Sequence, residues 1–126
     1  MNWNNFLAPA ILLLAACTTT SVPRTDGNDV ALGQEAVVDG PVVKPIAVLE
    51  DSRCPMNARC VWAGRVRVKM LWLRPQGDQE FELTLGEPRP LADGSITLTS
   101  VRPDKRTDVV LKPADYRFSF SFAGRL

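Results

Sequence analysis

From about residue 35 onward, apolar and polar positions alternate with a period of two, the pattern of half-buried strands rather than helices. The clearest case is the last: Tyr116, Phe118, Phe120 and Phe122 alternate with Arg117, Ser119 and Ser121. This predicts a strand with an aromatic inner face and a polar outer one. In "VRVKMLWL", Val66, Val68, Met70 and Trp72 share one side, and Arg65, Arg67 and Lys69 fall on the other. In "EFELTL", Phe81, Leu83 and Leu85 point one way, and Glu80, Glu82 and Thr84 the other. The intervening "RPQGDQ" carries Pro and Gly and reads as a turn, so the two runs form a hairpin. Matching the apolar faces predicts Trp72 opposite Phe81, Met70 opposite Leu83 and Val68 opposite Leu85. Pro75, Gln76, Gly77 and Asp78 are then left as the loop.

Further strands are predicted near 35–39, 42–50, 95–102 and 108–112, with "ADGS" and "RPDKRTD" as turns between them. No window sustains a 3.6-residue period, and ten prolines are spread along the chain. The expectation is an all-β domain over residues 34–126, a small antiparallel β-sandwich or barrel. "LKPADY" before the last strand resembles the approach to the tyrosine corner of immunoglobulin-like sandwiches, which would put Tyr116 at such a corner.

The amino end follows a different pattern. "MNWNNFLAPAILLLAAC" is an apolar run closed by small residues, shorter than the roughly 20 residues a membrane-spanning helix needs. It fits a cleaved signal peptide over residues 1–16. Leu14-Ala15-Ala16-Cys17 resembles the lipobox of bacterial lipoproteins. That resemblance implies cleavage before Cys17, acylation of its thiol and freed amine with palmitate-type chains, and a stable anchor, since two or more chains hold where one does not. Thr18 follows the cysteine where an Asp would imply retention at the inner membrane, so the resemblance points to the outer membrane, facing the periplasm. The chain departs from such signals in having no Lys or Arg before Arg24. "TTTSVPRTDGNDVALGQ" has no periodicity, and residues 17–33 read as the acylated Cys with a flexible leash.

Two further cysteines, Cys54 and Cys60, lie six positions apart in "CPMNARCVWAG". In an oxidising compartment such neighbours pair, and Pro55 and Asn57 favour the wide turn that a bridge requires. The alternative is a soft metal site in which Cys54, Met56 and Cys60 take Cu(I). No zinc spacing is present, no metal or other cofactor is expected, and a catalytic thiol would lack a base. Around the pair, Arg53, Met56, Arg59 and Trp62 are the candidate binding residues. Trp62 has two readings: core packing on the Val66 face, or an exposed aromatic beside Arg53 and Arg59. Gly64 reads as a bulge or a close approach at the strand start. The stretch "DSRCPMNARCVWAG" resembles a segment of uncharacterised secreted bacterial proteins, which implies export and a disulfide but no activity.

Composition narrows the function classes. A net charge of +1 gives no field for nucleic acid. The absence of histidine removes the usual general base, the Ser-His and Cys-His nucleophile systems and the commonest metal ligand. Arg65, Arg67 and Lys69 beside Glu80 and Glu82 read as a solvated, cross-strand-paired sheet face, with an anion-binding stripe as the alternative. The expectation is a non-enzymatic, lipid-anchored envelope protein with a small β interaction or structural domain. Its partners are the membrane, through the lipid, and an envelope protein. The alternatives are a periplasmic ligand binder, with copper as the candidate, and an inhibitor of an envelope enzyme acting through the Cys54–Cys60 loop.

Overall fold

The alternating runs assemble into two antiparallel sheets. The computed structural model describes residues 9–16 and 23–124; Cys17 and its acylation lie outside the described residues. Strands β1 (Ala36–Val37), β2 (Val42–Asp51), β3 (Val66–Leu73) and β4 (Gln79–Thr84) form one sheet in that order. Strands β5 (Arg89–Leu91), β6 (Gly94–Arg102) and β7 (Arg117–Gly124) form the other. The one helical piece among the described residues is a 3-10 turn at Pro113–Asp115. The inner faces meet where the alternation places them. Val43, Val66, Val68, Met70 and Leu83 come from the first sheet, and Ile96, Leu98, Val101, Phe118 and Phe120 from the second. Burying each such side chain contributes about 1.5–3 kcal/mol, enough to hold a domain without helices. Tyr116 and Phe118 stack with ring centroids 5.8 Å apart, so the aromatic face of the last strand is packed as predicted.

Each sheet is a meander of sequential strands, and the named strands pass from the first sheet to the second through residues 85–88. Immunoglobulin sandwiches interleave their strands between the sheets; this connectivity does not. Nor is there a tyrosine corner. The Tyr116 hydroxyl donates to Asp51 Oδ2 at 2.8 Å, on the far side of the sequence, rather than to nearby backbone.

Two local expectations are corrected, and one strand was not anticipated. The β3–β4 hairpin forms with the predicted faces but two residues out of the predicted register: Met70 faces Phe81, Val68 faces Leu83 and Trp72 faces Gln79. A shift of two preserves every inside–outside assignment, so patterning alone does not resolve it. The turn chemistry does: Gly77, at φ 129°, donates its N–H to Arg74 O, and the Arg74 guanidinium lies 4.7 Å over the Trp72 ring. Residues 108–112 form no strand; Val109 N–H closes a turn onto Arg106 O. Strand β5, at three residues with Pro90 at its centre, is too short to register as an alternation.

Much of the stretch that reads as a leash is folded. Val30 is completely buried, exchanging hydrogen bonds with Phe118 on the free side of β7, while Thr25 pairs in parallel with Ala36 on the free side of β1. Residues 24–33 thus belong to the folded domain. Pro45 sits buried inside β2, where its missing N–H would break a ladder. It is tolerated because the register shifts between Pro45 and Ala47, and because Pro45 O, beyond the end of β1, accepts from Gly33 N–H instead.

Candidate functional site at the loop end

At the C-terminal end of β2 the chain leaves the sheet at Asp51 and returns at Val66, with residues 52–65 as an excursion. Its base is pinned by Ser52, whose N–H donates to Arg65 O at 2.9 Å and whose Oγ accepts from Arg65 N–H at 3.0 Å. Gly64 is required there: a Cβ at this position would lie 1.7 Å from Ser52 O, the close approach expected of this glycine. Inside the excursion Cys54 and Cys60 form the predicted disulfide, with their α-carbons 5.8 Å apart. The sulfurs are therefore spent on each other, and the copper reading through Cys54, Met56 and Cys60 loses two of its three ligands. Among the described residues no group of three or more His, Cys, Asp or Glu is placed to hold a metal ion.

Beside the excursion lies a second loop, residues 103–112, and the two are joined. Met56 N–H donates to Lys105 O at 2.8 Å, while Asn57 and Thr107 bond reciprocally at 2.8 and 3.0 Å. Beneath them is a polar hub. Arg53 grips Asp51 through two hydrogen bonds of 2.9 Å and also donates to the carbonyls of Val101 and Pro103 at 3.1 and 3.2 Å. Lys105 Nζ donates to Asp51 O at 2.9 Å, and Tyr116 completes the set. Burial works to raise the Asp51 carboxyl, but the Arg53 guanidinium and the Tyr116 hydroxyl outweigh it and hold it below its ordinary value. Burial, reinforced by the Asp51 carboxylate, pushes Tyr116 up to about 12. Arg53, a candidate binding residue from the sequence, is thus an internal clamp whose side chain is only 15% exposed. Its hydrogen bonds join the disulfide loop, β6 and the second loop.

The other candidates do face solvent. Met56 is 62% exposed, Trp62 61% and Val61 99%, and Arg59 is exposed with no ion-pair partner among the described residues. Core packing for Trp62 is overturned. Gly64 and the Ser52–Arg65 clasp hold the excursion outside the sheet, so the alternation that ends at Val66 does not extend back to residue 62. Sequence reasoning missed Val109 (50% exposed) and Val110 (86% exposed), because "DVVLK" reads as a short strand. On the outer sheet face Arg65 pairs with Glu50 at 2.7 Å, Arg67 with Glu82, and Lys69 with Glu80 at 3.4 Å, the paired face that the charges predict. A groove of about 460 Å³ runs between β2 and residues 111–116, lined by Leu32, Ile46, Leu49 and Leu111. Its polar end is Asp51 with Tyr116, whose side chains are engaged with each other.

The fold and this loop end define an all-β, two-sheet domain with a disulfide-braced apolar and basic tip. Compared with known proteins, the chain matches no family model, no curated protein and no solved structure.

Proposed function

We propose that this chain is a lipid-anchored protein of the bacterial cell envelope, held through acylated Cys17 at the outer membrane and facing the periplasm. Its β domain works by binding through the loop end rather than by catalysis. One observation carries the binding reading. Met56, Val61 and Trp62 stay exposed on a loop that a disulfide, a glycine contact and the Arg53 clamp hold rigid. Rigid, exposed aromatic and apolar side chains beside an unpaired arginine are what recognition surfaces use, because little entropy is lost on contact. The Cys54–Cys60 bridge supports export, since such bonds persist outside the cytosol.

A Cys17→Ala variant is expected to move from the membrane to the soluble fraction and to lose incorporation of labelled palmitate. Retention in the membrane would refute the anchor. A second reading, inhibition of an envelope enzyme, is favoured by Met56 and Arg59 standing on the same braced loop. It predicts a stoichiometric complex that Arg59→Ala weakens at least tenfold, measured by calorimetry on the purified pair.

A further inference from the structure

We propose that the loop end is a membrane-contacting face. Met56, Val61 and Trp62, with Val109 and Val110 of the adjoining loop, enter the interfacial zone of an anionic bilayer, and Arg59 and its basic neighbours meet the phosphates. The proposal rests on the anchoring reading above and names what the binding face binds.

The first support is the heading of the chain. Thr25 pairs in parallel with Ala36, and β1 runs antiparallel to β2. Traced backward from Thr25 through the Arg24–Glu35 ion pair, the backbone therefore heads toward the C-terminal end of β2, where the disulfide loop begins. Cys17 lies six positions before Pro23, a reach of at most about 20 Å at full extension. The rise along β2 from Pro45, level with the departing chain, to Asp51 is also about 20 Å. Fully extended, the segment from Cys17 can thus reach the level of Asp51, where the disulfide loop begins, which puts the anchor at the same end of the domain as the loop.

Charge is the second support. With Asp51 and Glu50, which pair with Arg53 and Arg65 at its base, the loop end (residues 50–65 and 103–112) holds six Lys and Arg against four Asp and Glu, while the rest of the chain holds nine against ten. The loop end is positive and the remainder negative, which orients the domain over an anionic surface. The third support is the manner of exposure. Val61 at 99% and Val110 at 86% stand free as single side chains on separate loops, beside a tryptophan. Trp favours the headgroup level, and scattered apolar side chains enter a fluid interface without needing matched pockets. The tether keeps lipid at high effective concentration, so weak contacts suffice.

The test uses the chain from residue 17 onward with Cys17→Ser; among the described residues, no hydrophobic side chain before Val30 lies in the buried core, and the unacylated chain is expected to retain its fold. It is expected to co-sediment with phosphatidylglycerol vesicles and not with pure phosphatidylcholine. Its tryptophan emission should shift to the blue and be quenched by brominated lipid, and this response should vanish in Trp62→Phe. Arg59→Ala should weaken partitioning about fivefold, and the double variant Val61→Ser, Trp62→Ser at least about tenfold. Oxidised mass and an unchanged β spectrum verify that each variant is folded. Equal partitioning of parent and variants, or no preference for the anionic vesicles, overturns the proposal. So does an envelope enzyme that binds the tip while vesicles do not. Native chain lacking lipid on Cys17 by mass spectrometry would instead refute the anchoring reading, whatever the vesicles show.

Discussion

At the scale of single residues, the loop end depends on Asp51. Its side chain is only 8% exposed, yet it is charged, because Arg53 and Tyr116 supply the hydrogen bonds that water would otherwise provide. Asp51→Asn leaves the Arg53 guanidinium without its counter-charge in a half-buried site. The variant should lose about 3 kcal/mol in urea unfolding. The pH dependence follows from the same contacts. Asp51 is held below its ordinary 3.8, so its contribution is present above that value and disappears as pH falls through the lower folded value. Tyr116 is raised from 10.0 to about 12, so its contribution is complete below pH 10 and is lost as pH climbs through about 12. Stability measured against pH should therefore stay level between these limits, and Asp51→Asn should flatten its acid limb. None of this hub was legible in the sequence. Arg53 read as a binding residue, nothing local gave Asp51 a buried role, and nothing marks Tyr116, so distant in the chain, as their partner. Gly64 was legible, because a glycine beside a strand start commonly marks a close approach.

At the scale of elements, alternation identified the long strands and both faces of the β3–β4 hairpin, since burial on one face leaves a period-two trace. It missed what period two does not encode. The two-residue slip between Met70 and Phe81 keeps every face intact, and β5 is too short to alternate. The braced excursion belongs to this scale as well. Removing the bridge with Cys54→Ser and Cys60→Ser should cost roughly 2 kcal/mol in urea unfolding, the chain-entropy value for so short a loop. The loss should be no larger, because the Ser52–Arg65 clasp, the Asn57–Thr107 pair and the Arg53 clamp remain. A loss of more than about twice that size would mean that the bridge, not the hydrogen bonds, shapes the excursion.

At the scale of the whole molecule, the two-sheet architecture was foreseeable, but the amino-terminal boundary was not. Residues 24–33 have the composition of a leash, and only their placement against two free strand edges makes them structural. Val30 is the one strongly apolar side chain that fills the core from this stretch. Chains beginning at residue 23 should unfold at the same urea concentration as chains beginning at residue 17. Chains beginning at residue 34 should lose about 3 kcal/mol or fail to fold, because Val30, Leu32 and the hydrogen bonds to Phe118 and Phe120 leave together.

The Val30–Phe118 pairing has a further meaning for how the protein is made. A chain delivered amino end first, from a ribosome or through a membrane pore, presents Val30 long before its mate exists. That seam cannot close until β7 has emerged, so this edge of the domain is among the last parts of the chain to be sealed.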